Sequence, residues 1–167
     1  FGNGRLLPAG PLREPPARLA EVDGVVINEA GYELPGAARM ALVPSAVVAL
    51  DGQARRTLGD FSGRIVTAVA AIGHPERFFA LLRAYGLQTQ ERALPDHAVL
   101  TPAIAGAGSG RPVLMTEKDA VKCMGPGWQD AWFLEVEASV DAVSAKPLLD
   151  RIAVAVAGRT QGNKTRE

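Results

Sequence analysis

Arg64-Ile65-Val66-Thr67-Ala68-Val69-Ala70-Ala71-Ile72-Gly73, followed by His74-Pro75, is the stretch that decides the fold. Its nearly unbroken apolar run reads as a strand buried on both faces, as strands of parallel sheets are. Pro75 suits the first turn of a helix, where no partner awaits its missing N–H. Phe78, Phe79, Leu81, Leu82 and Tyr85 then form a wide apolar stripe that stops at Gly86. A buried strand, a loop and an amphipathic helix in that order form the repeating unit of an α/β sheet.

The same grammar extends in both directions. Upstream, Val22 to Asn28 reads as a short strand after a brief helix at Ala17 to Glu21. Residues 38–50 read as one or two strands interrupted by Pro44, and Asp51-Gly52 turns the chain back into a partner strand at 53–58, a hairpin. Downstream, Leu87 to Leu94 reads as a strand, Thr101-Pro102 as the N-cap and first residue of a helix, and Gly106 to Gly110 as a loop. Pro112 to Thr116 is a further buried strand leading into a helical turn around Ala120 to Cys123. Trp132 to Val136 is the last strand, and Ser144 precedes a final helix at about Lys146 to Gly158. Right-handed crossovers then place helices on both faces of a mainly parallel sheet, a three-layer α/β sandwich.

The expected organisation is an extended, Pro/Gly-rich seam at 1–16 and an α/β domain at 17–145 that includes a hinge hairpin near 38–58. The helix at 146–158 and a flexible polar tail at 159–167 complete it. The opening Phe1-Gly2-Asn3-Gly4-Arg5-Leu6-Leu7-Pro8 carries no initiator Met, secretory pattern or helix start, and reads as an interior segment of a larger enzyme. With 18 basic and 18 acidic side chains the net charge is zero, which removes the long-range attraction to nucleic acid that a basic domain shows. Cys123 stands alone and forms no internal disulfide, which favours a reducing compartment.

Ligands of open α/β sheets bind beyond the carboxyl ends of the strands. Three polar clusters follow strands here: Gly73-His74-Pro75-Glu76-Arg77, Pro95-Asp96-His97 and Thr116-Glu117-Lys118-Asp119. His97 is one of two imidazoles and sits in a loop, where it can meet a reacting hydroxyl, with Asp96 in support. A surface residue or a cap on the next helix is the plainer explanation of the residues alone. His74 is placed to cap the helix that Pro75 starts. Lys118 can steady a phosphate as a point charge, or belong to a charge network at a strand-to-helix turn. Asn3, Arg5 and Arg13 in the opening suit phosphate or carboxylate, and Asn28 and Glu29 end a strand where nucleotide contacts could form. No glycine-rich loop is followed by the lysine of a phosphate cradle, and no Cys/His cluster suggests a metal site in this chain.

Phe1 to Glu14, Ala71-Ile-Gly-His-Pro-Glu-Arg-Phe-Phe79, Pro95-Asp-His97 and Met115-Thr-Glu-Lys-Asp-Ala-Val-Lys122 resemble, in the same order, the C-terminal half of the tetraacyldisaccharide 4'-kinase family of Gram-negative bacteria. The resemblance implies transfer of the ATP γ-phosphoryl group, with Mg²⁺, to the 4'-hydroxyl of a tetraacylated disaccharide 1-phosphate in lipid A synthesis, at the cytoplasmic face of the inner membrane. It implies two α/β domains joined by a hinge, with the P-loop and a membrane-associating helix in the N-terminal one. ATP and Mg²⁺ would then be bound mainly by that domain, the partner of this one, and the present chain alone would be inactive. The resemblance also makes His97 the counterpart of the family's catalytic histidine, paired with an aspartate of the N-terminal domain. Relatives carry a second histidine next to it where this chain has Ala98. The rival readings are a non-catalytic α/β interaction or regulatory module and a self-contained enzyme built on Asp96, His97 and Lys118.

Overall fold

The strand expected at 64–73 forms over Ile65–Ala70, and every residue in it after Ile65 is buried. The computed structural model describes residues 1–28 and 33–162, with the backbone alone for 158–162. In chain order the elements are a 3₁₀ turn (Pro16–Ala20), β1 (Val26–Asn28), β2 (Ala38–Ala49), β3 (Arg55–Arg56), a second 3₁₀ turn (Leu58–Phe61), β4 (Ile65–Ala70), α1 (Pro75–Ala84), β5 (Gln88–Ala93), α2 (Pro102–Ala105), β6 (Val113–Thr116), α3 (Glu117–Ala120), β7 (Ala131–Val140) and α4 (Ala142–Gly162). They fall into two compact units, Val43–Glu137 and Phe1–Leu42 with Ala138–Glu167.

In the Val43–Glu137 unit the strand order is β2-β7-β6-β4-β5, with β3 on β2. The β7-β6-β4-β5 block is parallel, in register at Val113↔Ala131, Thr67↔Val113 and Thr67↔Gln90. Side-chain alternation sorts the core into two layers. Val66, Ala68, Ala70, Leu114, Trp132 and Leu134 pack with Phe61, Phe78, Phe79 and Leu82, whereas Val69, Val113, Met115 and Ala131 pack with Leu100, Ala105 and Ala120. Helix α1 therefore covers one face and α2 with α3 the other, giving the three layers of an α/β sandwich. The polar strand β5 is the exposed edge of this sheet, where charged residues discourage unwanted pairing.

Local chemistry sets the helix limits. Helix α1 begins at Pro75 with Glu76 in its first turn, and Gly86, at φ 80°, lets Leu87 N–H return to Leu82 O. In α2 the Thr101 hydroxyl accepts from Ile104 N–H, as its sequence suggests, and Gly106 ends the helix at φ 77°. The hairpin forms with Val47 opposite Arg56 and Val48 opposite Arg55. Arg56 lies 4.6 Å over the Trp132 ring, which in turn packs edge-on against Phe61.

In the other unit, β1 pairs parallel with the start of β2, Val26 opposite Ala38. Asp141 caps α4 through a carboxylate that accepts Ser144 N–H at 2.8 Å. The Ser144 hydroxyl accepts Arg39 N–H at 3.0 Å.

Several expectations need correction. Pro44 does not interrupt β2, because a proline removes only one donor and a strand paired elsewhere persists around it. The first strand is shorter than 22–28, beginning at Val26. The final helix starts at Ala142 rather than after Ser144, since the capping group is Asp141, and it runs on to Gly162. The turn after β6 coils at Glu117–Ala120, earlier than 120–123, because Thr116 caps it. The opening 1–16 is not extended: Leu7 N–H donates to Leu12 O and Gly10 N–H to Leu6 O, with left-handed Gly2 and Gly4 permitting the folds. Of the expected tail, 163–167 lie outside the described residues.

Candidate active site

The carboxyl ends of β4, β5 and β6 bring two of the three polar clusters together. The β4-β5 ladder ends at Ala70 opposite Ala93. Beyond it Leu94 N–H still reaches Ala70 O at 2.9 Å, and the next residues leave the sheet as a tight turn closed by Ala98 N–H to Pro95 O. His97 occupies this turn in the left-handed region, φ 62°. A side chain with a Cβ is disfavoured there, so the position is held by its surroundings. The His97 N–H donates to the Asp96 carboxylate at 3.0 Å and to Ala71 O at 3.3 Å. The imidazole itself is 73% exposed, with Nε2 3.7 Å from Asp96 Oδ2.

Lys118, the second residue of α3, reaches across with Nζ 3.4 Å from Asp96 Oδ1. Burial acts most strongly on the Asp96 carboxyl and opposes its ionisation. The His97 charge, the Lys118 ammonium and the His97 N–H together outweigh that and hold it below the usual carboxylate range. Asp96, His97 and Lys118 thus form one solvent-accessible group of an anion between two cationic or protonatable partners. Gly73 borders it, since a methyl built there would lie 3.7 Å from Asp96 Oδ2. Such a group can orient a hydroxyl, move a proton at the imidazole and meet an anionic oxygen with the ammonium.

The other sequence candidates lie elsewhere. Asn3 is committed to its own turn, its amide donating to Ala9 O at 2.9 Å and its oxygen accepting Arg5 N–H at 3.1 Å. Arg5, Arg13 and Asn28 are exposed members of the Phe1–Leu42 segment. Glu29 lies outside the described residues. His74 stands at the N-cap position of α1, yet its side chain caps nothing. Its backbone carbonyl takes the first bond instead, from Arg77 N–H.

The sequence reading missed the nature of Asp119. It is fully buried, and Oδ2 accepts from Ala71 N–H at 2.9 Å and from the Thr116 hydroxyl at 2.8 Å, while Oδ1 accepts from Lys122 at 3.0 Å. The available signal was Thr116 three residues ahead of an acid, the spacing of a capping pair. Cys123 beside it is partly buried. Burial first, and Asp119 second, push its thiol up to about 11, so it is an inert packing residue. A cavity of about 720 Å³ between the β2-β3 turn and the loop carrying Trp128 shares no lining residue with the Asp96 group. The Asp96 group is nonetheless the better candidate, because it joins a proton-moving side chain to charge at the strand ends.

Among the described residues no set of three or more His, Cys, Asp or Glu side chains could hold a metal ion. No helix among them is long and apolar enough to cross a membrane.

Comparison with known proteins identifies the family. A family model described as Tetraacyldisaccharide-1-P 4'-kinase matches residues 1–153. The Tetraacyldisaccharide 4'-kinase of Xanthomonas euvesicatoria pv. vesicatoria is 45% identical over 168 residues, covering 91% of this chain and 47% of its own length. That of Methylobacillus flagellatus is 42% identical over 153 residues, covering 91% of this chain and 45% of its own. A crystal structure of LpxK from Aquifex aeolicus in complex with ATP matches with a TM-score of 0.61 at 25% identity, over 89% of this chain and 48% of that one. The chain spans about half the length of the curated relatives it matches. With residues 1–153 under the family model and the α/β fold shared with a solved member, this chain belongs to the tetraacyldisaccharide 4'-kinase family.

Proposed function

We propose that this chain is the C-terminal, acceptor-side half of a kinase that moves the ATP γ-phosphoryl group to the 4'-hydroxyl of a tetraacyldisaccharide 1-phosphate. The observation that carries the proposal is the exposed imidazole of His97, held in a left-handed turn at the carboxyl ends of β4 and β5 beside Asp96 and Lys118. A sugar hydroxyl is a weak nucleophile, and phosphoryl transfer is catalysed by positioning and charge. His97 aligns a carboxylate supplied by the ATP-binding half, and that carboxylate receives the hydroxyl proton. Asp96 keeps the imidazole loop in place, and the Lys118 ammonium stands ready for a phosphate oxygen.

ATP and its Mg²⁺ are assigned mainly to the other half, as the family resemblance implies. The seam at 1–16 and the hairpin of β2 and β3 are assigned to the junction between the halves, and α4 to packing against the ATP-binding domain. The reaction is assigned to the cytoplasmic face of the inner membrane, as the family resemblance implies.

The test is His97→Ala in the whole kinase, assayed with ATP and the acylated disaccharide. The expected result is a kcat lower by about 10²-fold, the scale of one acid/base group, with the KM for ATP nearly unchanged. The 1–167 chain assayed alone should transfer nothing. An unchanged kcat in the variant would return His97 to an ordinary loop residue.

A further inference from the structure

We infer that Asp119 is a positioning residue for His97, acting through the backbone of Ala71. The inference rests on the role proposed for His97. Ala71 is the first residue beyond β4, where the ladder to β5 has ended, and it is fully buried. Both polar groups of this residue are engaged. Its N–H donates to Asp119 Oδ2 at 2.9 Å, and its carbonyl accepts the His97 N–H at 3.3 Å. Asp119 thus grips one side of a residue whose other side carries the catalytic loop.

The grip is itself fixed. The Thr116 hydroxyl at 2.8 Å shares Oδ2, Lys122 holds Oδ1 at 3.0 Å, and the Asp119 N–H returns to Thr116 Oγ1 at 3.2 Å. A carboxylate held at both oxygens in this way resists rotation and anchors the Ala71 N–H, one residue's backbone away from the carbonyl that takes His97. His97 needs that support more than a residue in regular structure would. At φ 62° it sits in a sparsely populated region, and its backbone N–H is shared between Ala71 O and its neighbour Asp96. The adjacent Lys118 ties the same loop from the side-chain direction through Asp96. The segment Thr116 to Asp119 is therefore a two-point brace, one residue holding the side chain of Asp96 and the next holding the backbone beneath His97.

A residue that only stabilises the fold and a residue that acts through His97 differ in one measurable way. Misplacing a reacting group by about an ångström can cost as much as 10²-fold in rate, but only while that group contributes. In the whole kinase, Asp119→Asn should lower kcat about tenfold with the KM for ATP within about twofold of wild type. In the His97→Ala background the same substitution should leave kcat where His97→Ala put it, because the two effects share one pathway. Thr116→Val, which removes one donor from Oδ2 and keeps the carboxylate, should show the same pattern at smaller size, and it serves as the readout if Asp119→Asn does not fold. Urea midpoints measured alongside should fall equally in both backgrounds.

Equal losses of kcat in the two backgrounds would overturn the inference and leave Asp119 a structural residue, with His97 still catalytic. So would an unchanged kcat for the single variant. If His97→Ala alone leaves kcat intact, the proposed function falls first and the positioning role with it.

Discussion

Asp96 and Asp119 stand near the same edge of the sheet under opposite conditions. Asp119 is wholly buried and both its oxygens are engaged, by a backbone N–H, a hydroxyl and an ammonium. Asp96 is 44% exposed and meets Lys118 at 3.4 Å and the His97 imidazole at 3.7 Å, distances at which partners can still exchange. A dry carboxylate engaged at both oxygens can only hold a shape, whereas a wet one between an ammonium and an imidazole can take part in binding and proton transfer. Under the proposed function, rigidity comes from Asp119 and chemistry gathers round Asp96.

The most direct way to break this contrast is to remove each acid in turn. Asp119→Ala leaves the buried Ala71 N–H and the Lys122 ammonium without their partner, and should cost about 3 kcal/mol of stability in urea denaturation. Asp96→Ala should fall within the scatter of ordinary surface substitutions. If both variants unfold at the same urea concentration, the two acids do not play different parts.

Why the sequence disclosed one acid and hid the other follows from range. Asp96-His97 announces itself locally, as an acid next to an imidazole after a strand, and Lys118 was visible as the cation at another strand end. That Asp119 is buried depends on Ala71, 48 residues away, and nothing within its own turn shows that a strand end needs a partner there. The fold was legible for the same local reason. The buried run of β4, Pro75 at the head of α1 and the Thr101 cap are short-range signals, each consistent with the final sheet. Pro44 misled because the rule that proline breaks strands ignores which way its nitrogen faces, and that is set by the neighbouring strand. Ser144 misled because Asp141, three residues earlier, is the better cap and binds the Ser144 N–H itself.

A smaller effect sharpens the comparison from the side of His97. Glycine adopts φ 62° without the Cβ conflict that histidine bears. His97→Gly should therefore raise stability by about 0.5–1 kcal/mol, after allowing for the greater freedom of glycine in the unfolded chain, while lowering kcat as His97→Ala does. His97→Ala keeps the Cβ in the same region and should gain nothing. Opposite movements of urea midpoint and kcat in the glycine variant would mean that the left-handed turn is kept for its imidazole. A loss of stability would mean instead that the imidazole contacts outweigh the backbone strain.

The smallest effect concerns pH. The Asp96 carboxyl is held below its unfolded value of about 3.9, so its contribution to stability is complete above that value and is lost as pH falls through the lower folded value. The window is therefore below about pH 4, and the sign is loss of stability on acidification. Lys118→Met removes one of the two charges that lower this pKa, so the folded and unfolded values should move together and the acid-side slope of the urea midpoint should flatten. Because the group is exposed, the difference between wild type and variant should shrink further in ~1 M salt, where the screening length falls to about 3 Å. Asp119, dry and paired by direct bonds, should keep its contribution at that salt concentration. A wild-type acid slope that Lys118→Met leaves unchanged would remove Lys118 from the group and leave His97 as the sole cationic partner of Asp96.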